Sequence, residues 1–490
     1  MDSLQVAVFL GITALIAFAT YIHCRGQRAN VEGGVKDQER DYFLANGGLA
    51  WYFVAGSITL TNLSTDQLVS MNGNQMLLVA WWELAAVVGL FILAFVFLPV
   101  YYRNNCTTTT ELLQRKYSDK HIRALISLLF LLGNLFIFLP AILYGGSRFF
   151  LSLLGLDGGL ENIMLISIIL AVVGAAYAIF GGLRAVAVSD TYSGVLILSL
   201  AVLVVILALQ AIDYDFSGIP AERLTLIGDD ASDIPWHTLL TGMIFIQTFY
   251  WSTNQTITQR AMASPTIWEA QKGVLAAAAI RLLIVPLIVV VPGIVAYKMF
   301  GDVPSDGAYG QIVGAVLPSW LSGAFAAALF AAALTSFNSI LNASAALYVC
   351  DMHESYIAKP KSVARLGAIV SVLMSVLALA LVPFWAVQES LINTVQQLYG
   401  LLSMPILSAF IVGLVFRNVE ARAAMIGVVF GVVFYGYWSM VWQPAHYIHG
   451  MAVTLILCVA VSLLANLIVF GQRAQLSLRH REQAAPEALS

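Results

Sequence analysis

The sequence predicts an all-α integral membrane protein of about thirteen transmembrane helices, and three observations carry that prediction. Its 490 residues are 60% hydrophobic and only 10% charged, whereas a soluble domain carries about 25% charged residues. The apolar runs are near the roughly 20 residues that cross a bilayer as a helix, and they lack the alternation of a barrel strand. Two of these runs are interrupted by polar clusters: Asn62-Leu63-Ser64-Thr65-Asp66-Gln67, and far downstream Trp251-Ser252-Thr253-Asn254-Gln255. An unpaired polar group at bilayer depth costs about 1 to several kcal/mol, so such clusters are expected to line a cavity. Broken helices around a midplane cavity are a transporter design.

The first apolar span, 3–23, has Asp2 where a signal peptide carries positive charge, and Arg25 and Arg28 follow it. It reads as a retained helix with its N-terminus outside. In the second, 44–70, Gly47, Gly48 and Gly56 precede Thr59, Thr61, Asn62, Ser64 and Thr65. That makes a poor continuous helix, and a broken helix at this depth offers freed carbonyls to a cation. Spans 76–100, 122–154, 162–180 and 189–212 follow. The span at 237–256 then repeats the interrupted design, with Gln247 and Thr248 ahead of Ser252 to Gln255. The two interruptions lie five helices apart, which fits an inverted five-plus-five repeat; polar packing between helices is the other reading. Spans 272–299, 316–350, 362–384, 391–416, 422–443 and 448–470 complete the count.

Charge supports this threading. Twenty of the 24 lysines and arginines fall in the segments it places inside, while acids such as Asp213, Asp229, Asp230 and Asp233 crowd the segments it places outside. The odd count leaves the C-terminus inside, with 471–490 as a polar cytoplasmic tail. The longest outer segment, 213–236, has room for a short surface helix. Cys24, Cys106, Cys350 and Cys458 share no paired spacing, which argues against disulfides and a metal centre. No basic cluster suggests nucleic acid, no GxxxxGK[ST] suggests ATP, and no Ser/His or Cys/His set at membrane depth suggests an enzyme.

Within 316–350, Thr335, Ser336, Ser339 and Asn342 fall in two turns beside Ala331, Ala332 and Ala333. Neutral hydroxyl and carbonyl oxygens suit a dehydrated monovalent cation, where a carboxylate cage would suit a divalent one; small-residue helix packing is the alternative. Glu83 lies beside the first broken helix and needs a partner or a hydroxylated solute; Arg281 is the natural counter-ion for an acid here. Asp190 follows Gly181-Gly182-Leu183-Arg184 and could cap a helix. The aromatic residues Trp81, Trp82, Tyr250 and Trp251 flank the polar stretch and suit a sugar's C–H faces or a gate. His237, His446 and His449 fall near the outer face and read as surface histidines.

At these residues the chain resembles the solute:sodium symporter family, in its sodium/glucose–galactose cotransporter-like branch. The matching stretches are Asp41-Tyr42-Phe43-Leu44-Ala45, Asn62 to Gln67, Phe180-Gly181-Gly182-Leu183, Tyr250-Trp251 with Asn254-Gln255, Gln259-Arg260, Glu269-Ala270-Gln271-Lys272-Gly273, Pro292-Gly293 and Thr335 to Asn342. They run in order along most of the chain. The resemblance implies one transporter domain over 1–490: an extra helix at 1–24, a leucine-transporter-type ten-helix core at 41–417 and two C-terminal helices at 422–470. It implies sodium on the carbonyls of Leu60, Leu63 and Ala332 and the hydroxyls of Thr335 and Ser336, with Asp190 near its exit path. It implies a sugar held by Asn62, Gln67, Glu83, Gln247, Trp251, Arg281 and Gln397, with Tyr250 as inner gate and Met71 and Trp82 in an outer lid.

The chain departs from the galactose-binding pattern at Ala86, Phe138, Gln247, Arg281 and Gly400, which puts galactose itself in doubt. The resulting expectation is a sodium-coupled importer of a sugar or sugar-like solute in the cytoplasmic membrane. It would need no cofactor besides the coupling ion and no protein partner. Another organic solute (an acidic sugar, polyol or carboxylate) is the first alternative, and a solute sensor that does not transport is the second.

Overall fold

The computed structural model describes residues 3–25, 35–63, 65–388 and 391–476. Arg28, Ser64 and the tail from 477 lie outside these residues, as do the side chains of Cys24, Arg25, Asp66 and residues 177–182. Ten described helical segments are long and apolar enough to cross a bilayer; an eleventh counts if Asp37–Gly47 and Trp51–Asn62, bent by 98°, form one span. The only strands among the described residues are Phe416–Arg417 and Gln475–Leu476, a two-residue antiparallel pair. The segment 213–236 forms no surface helix: it holds one 3-10 turn, Ala221–Arg223, and the start of a second, Trp236–Leu240.

Proline accounts for much of the irregularity. Five-residue π turns at Leu93–Phe97 and Asn134–Phe138 immediately precede Leu98-Pro99 and Leu139-Pro140. A proline ring cannot donate to the carbonyl four residues back, and a wider turn relieves the clash. Pro286 likewise separates Ile267–Leu283 from Val285–Phe300 at Ile284. Near Gly181-Gly182 the chain turns, as expected: Leu160–Ala176 and Leu183–Ala211 are separate apolar segments of the Leu160–Ala211 element. Gly174 packs on Phe337 and Asn338 while Asp190 lies beside Thr335, so both segments meet the same stretch of Ser319–Ala346, which one straight helix rising about 1.5 Å per residue could not do.

The two polar interruptions are true breaks. Trp51–Asn62 ends at Leu63, which leaves helical geometry (φ −78°, ψ 70°), and Thr65–Asn74 resumes. Gly242–Ser252 ends at Thr253, and Gln255–Met262 resumes after Asn254. The two halves of the first have different neighbours. Its N-terminal half is tied to the Leu160–Ala211 element by Ser57, whose hydroxyl donates to Asp190. Its C-terminal half is fastened to Val285–Phe300: Asn72 donates to Leu68 and Ile288 carbonyls and accepts from Gly293 N–H. A Cβ at Gly293 would lie 2.0 Å from the Asn72 carbonyl oxygen, so only glycine permits that approach. The Ser319–Ala346 helix runs past both halves. Ser336 Oγ donates to the Leu60 carbonyl on one side (3.2 Å), and its Leu329 carbonyl accepts from Thr65 Oγ1 on the other (3.0 Å).

Candidate functional site

A cavity of about 100 Å³ opens beside the first break. Asn62, Gln67 and Met71 reach it from the broken helix, Trp82 and Glu83 from the next helix, and Gln247, Tyr250 and Trp251 from the second broken helix. Phe138, at the end of its π turn, closes one wall with Tyr399, whose ring centroid lies 4.7 Å away. The expected lid residues Met71 and Trp82 and the expected inner-gate residue Tyr250 thus share one chamber.

Its floor is a buried ionic knot. Arg281 and Glu83 are both essentially inaccessible and form an ion pair through Nη1. Gln67 donates its amide to the same carboxylate, and Arg281 Nη2 donates to the Thr59 carbonyl (3.0 Å). The guanidinium also lies 4.4 Å over the Trp251 ring. With the Asn62 amide oriented to suit its neighbours, its oxygen accepts from Arg281 Nη1 and Nη2 (3.0 and 3.1 Å), and its nitrogen donates to the Tyr250 hydroxyl (2.7 Å). A buried charge without a partner costs several kcal/mol; both Nη arms run to a charge or a carbonyl, while Arg281 Nε is buried without a hydrogen-bond partner. Arg281 therefore sits behind the cavity wall, facing its counter-ion. Gln247 donates to the Trp82 carbonyl and accepts from Trp251 Nε1, both at 2.9 Å.

Gln397 does not join this set. Its side chain donates to the Ser439 carbonyl at 2.8 Å, in a separate outer cleft. Gln396, one residue and about 100° of helix away, lines the cavity instead. Thr61, named in the interrupting cluster but given no site role, also lines the cavity; sequence reading missed Ser70 and Tyr399, which only the fold brings together.

The residues expected to hold sodium converge one layer below. Ser336 reaches Leu60, and Thr335 Oγ1 donates to the Ala332 carbonyl (3.0 Å); Leu60, Leu63 and Ala332 are fully buried. Thr61 and Ser339 hydroxyls meet at 3.5 Å beside them. Asp190 lies beside Thr335 at this crossing, in a buried chain in which Ser57 donates to Asp190 and accepts from Arg260 Nε (3.0 Å). Neutral oxygens from two crossing helices can take the place of a small cation's water shell.

Comparison with known proteins gives the family and the fold. The model of the sodium:solute symporter family matches residues 42–431. An uncharacterized symporter, YidK, of Escherichia coli (strain K12) is 32% identical over 492 residues, covering 96% of this chain and 84% of its own. The sodium/glucose cotransporter of Vibrio parahaemolyticus is 28% identical, over 82% of this chain and 79% of its own. The human sodium/myo-inositol cotransporter 2 is 26% identical, over 86% and 68%. A Na+-coupled sialic acid symporter, solved in a substrate-bound outward-open state, superposes with a TM-score of 0.80 at 18% identity, covering 95% of this chain and 98% of that one. At that identity the likeness is one of fold.

Proposed function

The chain belongs to the sodium:solute symporter family, and from that premise we propose that it couples sodium entry to import of a neutral polyhydroxylated solute, a sugar or cyclic polyol, across the cytoplasmic membrane. The observation that carries this reading is the placement of two candidate sites on one helix end: Leu60 bonds to Ser336, and Asn62, two residues on, faces the cavity. Sodium on the oxygens of Leu60, Leu63, Ala332, Thr335 and Ser336 would hold that end against the Ser319–Ala346 helix. Holding it there fixes Asn62 for the solute, so each ligand raises the other's affinity by the same factor.

Asn62, Gln67, Glu83 and Gln247 offer amide and carboxylate groups to hydroxyls, and Tyr250 and Trp251 offer faces to C–H groups. Among the described residues lining the cavity none is lysine or arginine, and Arg281 is held by Glu83 and Asn62. A neutral solute suits such a chamber better than an acidic sugar, which needs a cation free to receive it. Thirteen spans, with the N-terminus outside and the C-terminus inside, are the topology this reading uses; the charge bias of the loops supports it.

The test is uptake of labelled sugars and polyols into proteoliposomes with an inward sodium gradient, an equal potassium gradient, or none. Sodium-dependent accumulation of a neutral solute is the expected result. Equal uptake in potassium would remove the coupling, and uptake of acidic sugars alone would remove the assignment of solute class.

A further inference from the structure

The side of the molecule that carries residues 213–241 has an arrangement the transport cycle above does not use. His237, in the turn Trp236–Leu240, and His449, in the first turn of Tyr447–Ile468, face each other with Nδ1 and Nε2 2.7 Å apart. Their rings are nearly parallel, 12° apart. Each far nitrogen is also held: His237 Nε2 lies 2.8 Å from Asp230 Oδ1, and His449 Nδ1 lies 2.9 Å from Thr241 Oγ1. The pairing is fixed by backbone, because Gly242 packs directly on the next helix: a Cβ there would lie 1.8 Å from the Ile448 carbonyl oxygen.

We propose that His237 and His449 form a two-histidine site for a borderline divalent cation, with zinc the best fit, and that the ion clamps the 213–241 segment to the Tyr447–Ile468 helix. Two imidazoles whose facing nitrogens meet, each oriented through its other nitrogen by a polar partner, supply two of the ligands a histidine-bound metal uses once the shared proton has moved. The protons can be placed. Asp230 only accepts, so His237 Nε2 carries a proton and a neutral His237 offers its Nδ1 lone pair. His449 then donates through Nε2. To bind a metal, His449 moves that proton to Nδ1, where Thr241 Oγ1 accepts it and turns its own hydroxyl to the Thr238 carbonyl, 3.2 Å away. No net proton is lost. The nitrogens must separate to roughly 3.3 Å to take two Zn–N bonds of about 2.0–2.1 Å at a tetrahedral angle. His237 is 35% exposed and has room to move.

Among the described residues no three His, Cys, Asp or Glu side chains converge on one point, so water would complete the coordination. The clamped segment also touches the cavity's approaches. Asp233 accepts from Asn74, the last residue of the half-helix that carries Met71 (2.6 Å), and the Leu226 carbonyl accepts from Trp81 beside Trp82 (2.7 Å). An ion at the histidines would therefore slow any motion of that lid.

The experiment titrates zinc into the purified full chain by calorimetry, with magnesium as control, and follows the thermal midpoint. One saturable zinc equivalent with a raised midpoint is expected, lost in both His237→Ala and His449→Ala and weakened about 10- to 100-fold in Thr241→Val. No saturable zinc binding by the wild type, or binding unchanged in both histidine variants, would overturn the site whether or not the chain transports sugars. Zinc on both faces of proteoliposomes should slow wild-type uptake and leave His449→Ala uptake unaffected; equal inhibition of both, or of neither, would overturn the clamp.

Discussion

At the second interruption the polar side chains satisfy nearby backbone, whereas at the first they turn toward the cavity and toward each other. Ser252 donates to Gly89 O, Thr253 to Phe249 O, and Asn254 accepts from Thr256 N–H and donates to Tyr399; Gln255 accepts from Thr109 N–H. None of these four lines the cavity. Asn62 and Gln67 instead meet the Glu83–Arg281 pair and face open space. Equal polarity in sequence thus marks two kinds of break: one stitched closed by its own side chains, the other left open for ligands.

That contrast is open to four tests. The largest effect should come from Glu83→Ala, which strands Arg281 without a counter-ion. Loss of one partner of a buried pair costs about 3–5 kcal/mol, so uptake should vanish and thermal stability fall steeply. The double variant Glu83→Ala/Arg281→Met should regain much of that stability without regaining uptake. A single variant as stable as the wild type would show that the knot holds nothing together.

Next, Ser336→Ala should raise the half-saturating sodium concentration about tenfold, or ~1.4 kcal/mol; an unchanged sodium dependence would remove Ser336 from the ion site. Third, Asn254→Ala removes a helix cap worth about 1 kcal/mol. Its unfolding midpoint should drop while half-saturation for sodium and solute stays as it was. A solute affinity that falls more than stability would make the second break a ligand site after all. Smallest is Tyr250→Phe, which takes from Asn62 one hydrogen bond of about 0.5–1 kcal/mol and should weaken solute half-saturation several-fold with no change in the sodium curve.

The breaks and the helix order were legible in the sequence because polarity at bilayer depth is costly and therefore conspicuous. Glu83 and Arg281 stood out for the same reason, but which acid Arg281 pairs with was left open until the fold brought it to Glu83. Other features left no local mark. Gln397 and Gln396 are adjacent and alike, and only the helix's rotation decides which faces the cavity. His237 and His449 lie 212 positions apart, so each looked like an ordinary surface residue.

The Ser319–Ala346 helix acts on the first break as a splint acts on a joint. It is fastened on both sides, by Ser336 and Ser339 to Trp51–Asn62 and by Leu329 to Thr65–Asn74. Each segment is bolted elsewhere to a different beam, Leu160–Ala211 or Val285–Phe300. The joint lies at Leu63, where helical geometry is lost, so the two segments share one splint while each keeps its own set of fasteners, Ser336 with Ser339 for one and Thr65 for the other.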